Sequence, residues 1–155
     1  MSEYIAQLNW SLEQGQLTPG NYSTDHHVRF SGGVAVPMAS APDYGGNPQS
    51  VNPEQALAAA LSSCHMMTFL ALAAKARWQV THYRDRAIAV LGKTGQGRTR
   101  VSAITLHPEI DFAPGHTVSH DQLETMHERA HRYCFIANTL SCDMRVVVSP
   151  VVESV

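Results

Sequence analysis

Two cysteines and a group of histidines are the residues of this 155-residue chain whose types could carry chemistry. Cys64 interrupts a long apolar stretch, Cys134 closes a mixed one, and Cys142 follows shortly after. A thiol in an apolar segment ordinarily behaves as a small buried hydrophobe. Redox chemistry needs more: a second thiol with Cα atoms about 5.5 Å apart, and a group that stabilises the thiolate. Burial alone raises a cysteine above its usual value of ~8.5. If both cysteine-bearing segments are helices packed on each other, Cys134 lies on the apolar stripe of its helix and can face Cys64. Cys64 is about three turns inside its own helix, beyond the reach of the helix dipole. A nearby cation is therefore expected, with Arg29, His26, His27 and His65 as candidates. His65 is the weakest partner for its own neighbour, because adjacent helical residues point about 100° apart.

A second pattern competes. His127-Glu128-Arg129-Ala130-His131 places two imidazoles on one helix face with the spacing of zinc proteases. Zinc with a catalytic water needs a third protein ligand. Downstream acids are only Asp143 and Glu153, with Cys134 one turn along the helix. The pattern lacks its protease context. No metal is expected, with a site built on His127, His131 and Cys134 as the weaker alternative. These histidines could equally line a cleft or an interface near Cys134.

The elements that would position these residues follow from patterning. Residues 4–12 alternate Tyr4, Ala6, Leu8, Trp10 and Leu12 with polar neighbours, which predicts a half-buried first strand. Two further strands, 26–31 and 34–39, flank Gly32-Gly33, a hairpin signal. Residues 42–52 read as a loop. Asn52, Pro53 and Gln55 then form a helix start with a capping-box pattern. From Gln55 to Ala74 no charge occurs, and Lys75 and Arg77 sit where a helix end favours cations. A helix apolar nearly all round is a membrane span or a buried central helix. Ser62, Ser63, Cys64, His65 and Thr68 favour the buried one. Long strands are expected over 80–93 and 98–112. Ser119 and Gln122 cap a second helix running to about Cys134, with Leu123, Met126, Ala130, Tyr133 and Ala137 near one stripe. A last strand, 143–148, precedes an apolar tail. The order is that of an α+β domain, and the length fits a single domain over 1–155.

Composition narrows the setting. A net charge of −2 gives no electrostatic footprint for nucleic acid or an anionic membrane. The first ten residues hold neither a basic region nor an apolar core, so no secretory signal is read. Three widely spaced cysteines make no disulfide framework, which points to a reducing cytoplasm.

Asn52-Pro53-Glu54, with Cys64 ten residues later, and then Cys134-Phe135-Ile136-Ala137-Asn138 resemble the OsmC/Ohr family, over nearly the whole chain. The resemblance implies two central cysteine-bearing helices flanked by antiparallel sheets in an intertwined homodimer. It implies a thiol-dependent peroxidase without metal or organic cofactor, reducing organic hydroperoxides or hydrogen peroxide. Cys64 would attack the peroxide and Cys134 would resolve the sulfenic acid as a disulfide. An external dithiol, a lipoyl protein or a thioredoxin-like one, would recycle the pair. Glu54 matches the family glutamate that holds an arginine against the thiolate. Ten helical residues rise about 15 Å, so Glu54 would serve the Cys64 of the partner chain. The sequence departs from the family at Thr24, which stands where one branch carries its activating arginine; Arg29 could substitute, or in part His26 or His27. His65 is grouped with His26 and His27 as lining the cleft. The other reading is a non-catalytic member that binds a small ligand.

Overall fold

The computed structural model describes residues 1–150; the expected apolar tail and Glu153 lie outside the described residues. The described chain forms two compact units, residues 1–56 and the described residues from Leu57 onward.

The first unit is a three-stranded antiparallel meander of β1 (Ala6–Asn9), β2 (His26–Phe30) and β3 (Ala35–Met38). Gly32 and Gly33 both adopt positive φ, +88° and +86°, the conformation that a tight hairpin turn requires and only glycine adopts freely. The expected burial of β1 is not found: all four of its residues are exposed, Leu8 at 68%. It is an edge strand paired only to β2, and alternation records which face is apolar without saying what covers it. The loop after β3 contains a 3-10 turn, Pro42–Tyr44. Beyond it, a Cβ on Gly46 would sit 1.6 Å from the Ser40 carbonyl oxygen, so no other residue fits.

Helix α1 (Pro53–Lys75) starts in the first unit and runs through the second. Its predicted cap is present: the Asn52 side chain accepts from the Gln55 amide at 2.8 Å, and the Gln55 side chain accepts from the Asn52 amide at 3.1 Å. The far end closes as a Schellman motif. The Trp78 amide reaches the Ala73 carbonyl and the Arg77 amide that of Ala74, with Arg77 left-handed at φ 61°. By length and hydropathy α1 could also cross a membrane. The expectation of a helix buried all round is corrected: within this chain only one stripe is buried, Ala58, Leu61, His65, Phe69 and Ala73.

In the second unit each predicted long strand is broken into two. β4 (Val80–Asp85) pairs antiparallel with β7 (Pro108–Phe112), while β5 (Ile88–Lys93) pairs antiparallel with β6 (Thr99–Leu106). Asp85 pins the break, one carboxylate oxygen accepting from the His107 amide at 2.7 Å and the other from the Ser62 hydroxyl on α1. Helix α2 (His120–Tyr133) carries the full Ser119–Gln122 capping box. A short helix α3 (Phe135–Thr139) follows, then β8 (Asp143–Val146), which joins β6 in parallel where the flanking sheets were expected to be antiparallel throughout.

Two cores run along the buried stripe of α1. Ala58 and Leu61 pack with Ile104 and Leu106 of β6, Cys134, and Ala137 of α3. Phe69 and Ala73 pack with Val118 and with Leu123, Met126 and Ala130 of α2. Full burial of a side chain such as Leu61 or Phe69 is worth roughly 1.5–3 kcal/mol. Tyr133, expected on the buried stripe, is 56% exposed; it is the last residue of α2, and burial passes to Cys134 next to it.

Candidate thiol site

Cys64 and Cys134 meet at the first core. Cys134 is completely buried and Cys64 partly so, and both are free thiols. The chain turns sharply at Cys134, which ends α2 with an extended backbone and caps α3, its sulfur accepting from the Ala137 amide at 3.4 Å. That turn aims the first amides of α3 at Cys64. Burial, the largest influence, pushes the Cys64 thiol up. The Ile136 amide, the Cys134 thiol, the Phe135 amide and the Thr68 hydroxyl together outweigh it, leaving the thiol below its ordinary value. For Cys134 the balance is reversed. Burial pushes it up to about 11, and the neighbouring Cys64 sulfur reinforces this against the amides of Ala137 and Ile136. One thiol is therefore inclined to ionise and the other to keep its proton. Within the second unit, the groups that favour the Cys64 thiolate are backbone amides, the Cys134 thiol and a hydroxyl. Spacing could not reveal the amides, because Phe135 and Ile136 are remote from Cys64 along the chain. Thr68, also unforeseen, is one helical turn beyond Cys64 and donates to its carbonyl at 2.8 Å.

His26, His27 and Arg29 are on β2 of the first unit, Arg29 and His27 exposed and His26 partly buried. Thr24 is tied locally: its hydroxyl oxygen accepts from the Ser40 amide at 3.0 Å and from the Ser40 hydroxyl at 2.6 Å. Glu54 is in the first turn of α1, with Oε2 buried and without a hydrogen-bond partner. His65 does not line a cleft. It is fully buried and bonded to His127, Nε2 to Nδ1, at 3.0 Å. The Nδ1 of His127 is committed to His65, and among the described residues no three His, Cys, Asp or Glu side chains gather into a metal-holding group.

A small α+β protein with two neighbouring thiols of opposite proton affinity is thereby defined. The family model for OsmC-like protein matches residues 45–149, and the chain belongs to that family. Among solved structures it is similar to an OsmC-like protein of unknown function from Vibrio cholerae, at 38% identity and TM-score 0.88, covering 96% of this chain and 100% of that one. The organic hydroperoxide resistance protein OsmC of Legionella pneumophila matches at 19% identity and TM-score 0.74, covering 96% and 98%. The organic hydroperoxide resistance protein OhrB of Bacillus subtilis matches at 14% and 0.71, also covering 96% and 98%. These last two likenesses concern the fold. No curated protein matches the chain in sequence.

Proposed function

We propose that the chain is a cysteine-based peroxidase that reduces organic hydroperoxides through Cys64 and Cys134. The observation that carries this reading is the thiol pair itself, an ionisation-prone sulfur beside one that holds its proton. The Cys64 thiolate attacks the distal peroxide oxygen, an S–O bond forms as the O–O bond breaks, and the departing alkoxide takes a proton to leave as an alcohol. The Cys134 sulfur then attacks the resulting sulfenic acid. An S–S bond replaces the S–O bond, and the hydroxide leaves as water with the proton of Cys134. Two exchanges with an external dithiol, of lipoyl-protein or thioredoxin type, restore both thiols.

Names of related structures that refer to hydroperoxide resistance support the substrate class. The family resemblance supports catalytic roles for Glu54 and Arg29, and replacement of either by Gln is expected to slow turnover with the fold intact. An intertwined homodimer is part of the same reading: apolar side chains such as Leu8 and Met67, 68% and 58% exposed, need cover. The cytoplasm, where dithiol reductants are maintained, is the proposed setting. Consumption of tert-butyl hydroperoxide coupled to a dithiol tests the function directly. Turnover that disappears in Cys64→Ser supports it, and a wild-type chain that consumes none overturns it.

A further inference from the structure

One residue beyond Cys64 on α1, and seven before Cys134 on α2, stand two histidines that the peroxide chemistry does not use. The His65 and His127 rings are 0% and 2% exposed, their planes 8° apart and their centres 5.3 Å apart. With a 3.0 Å bond between Nε2 of His65 and Nδ1 of His127, such a centre separation requires both nitrogens to lie close to the line joining the rings. The imidazoles are thus edge to edge in nearly one plane, sharing one proton across the contact. Phe69 lies against His127 at 4.6 Å. The outer nitrogens, Nδ1 of His65 and Nε2 of His127, are buried and have no partner among the described residues.

Charge is poorly tolerated here. Burial lowers His65 to about 4, with His131 on α2 lowering it further and Asp85 on β4 opposing. Burial lowers His127 to about 3, with His65 adding to the effect. The Asp85 carboxylate, held by the Ser62 hydroxyl and the His107 amide, offsets this only in part: its charge favours a protonated His65 but is outweighed by burial and by His131. Tyr83 on β4, packed on Phe69, brings only a neutral buried hydroxyl. A single added proton leaves the shared bond intact, since a cationic ring donates to a neutral one. A second sets two N–H groups head to head with no acceptor between them.

We propose that His65 and His127 form a proton-sensitive clamp between the two cysteine-bearing helices, closed while the pair is neutral and released when both rings are protonated. Both rings bind protons more weakly closed than open, so the clamp is at full strength above about pH 6.5 and weakens as acidity increases toward the folded values. Because His65 adjoins Cys64 and α2 ends at Cys134, release loosens the thiol pair. The clamp does not depend on the peroxidase reading.

The test uses the full chain with Cys64→Ser and Cys142→Ser, so that only Cys134 reacts, and reads its rate with 4,4′-dithiodipyridine. The same chain with His65→Leu and His127→Phe is the reference, and the ratio of the two rates removes the intrinsic pH response of the thiol. From about pH 7.5 to about pH 5 that ratio is expected to rise on the order of a hundredfold; an unchanged ratio overturns the clamp. Ring NMR titration of the unsubstituted chain serves if the reference does not fold. Both rings staying neutral to below about pH 5 supports the clamp, and either one titrating near the ordinary histidine value of ~6.5 in the folded protein overturns it.

Discussion

Residues 64 and 65 are consecutive on one helix, yet each pairs with a like residue in a contrasting environment, Cys134 at the end of α2 and His127 in its middle. Cys64 meets Cys134 where the chain turns from α2 into α3, and free amides of that turn point at its sulfur. His65 meets His127 where the neighbours are Phe69 and other helix side chains, with no donor or acceptor among the described residues at either outer nitrogen. Burial opposes charge at both places. Amides overcome it at the thiol, whereas nothing overcomes it at the imidazoles. The comparison teaches that depth by itself does not decide whether a site accepts charge; the supply of oriented dipoles does. A break in helical structure beside Cys64 creates that supply, because the first amides of a new helix have no intrahelical partners.

The contrast can be broken at several points. The largest effect is expected for Cys64→Ser, which should lower hydroperoxide turnover by about a thousandfold or more, since an alcohol is a far weaker nucleophile than a thiolate. Cys134→Ser should abolish steady-state recycling through the disulfide while leaving the first oxidation of Cys64. Mass spectrometry after one equivalent of peroxide should then find sulfenic acid, and sulfinic acid with excess. On the histidine side, His65→Ala should cost about 2–4 kcal/mol in urea denaturation, by opening a cavity and stranding the Nδ1 of His127. The pH dependence of stability should be steeper than one buried histidine would give. The denaturation midpoint should hold above about pH 6.5 and fall as pH drops toward 4, because the unfolded chain takes up protons that the folded pair refuses. The smallest effect belongs to Thr68→Val, which removes one of four groups lowering Cys64. Its alkylation profile should move toward higher pH by less than about one unit, with stability changed by only ~1 kcal/mol.

Much of this was legible in order along the chain. Asn52 with Gln55 and Ser119 with Gln122 announced both helix starts, and each cap forms as read. Gly32-Gly33 announced its hairpin. These are short-range signals, settled by hydrogen bonds within three or four residues, and local chemistry suffices for them. The two cysteines were identified by family resemblance, and the core they share was consistent with the apolar stripe. The histidine pair left a fainter trace. His127 falls on the same stripe as Leu123, Met126 and Ala130, and His65 lies in an uncharged helix. The two together signal buried imidazoles that need partners.

The rest was decided only when distant segments met. The split of each long strand between two sheets depends on Asp85 bridging to His107 and Ser62, at separations of 22 and 23 residues. The activation of Cys64 depends on amides of residues 135 and 136, and the neutrality of His65 on a ring 62 positions away. Sequence by itself determined the two long helices with their caps, the first hairpin and which residues could react, because those follow from neighbours along the chain. Tertiary structure decided which thiol favours ionisation, which imidazoles refuse a proton and which apolar faces stay uncovered. Those properties are set by solvation and dipoles that exist only once remote parts of the chain are packed.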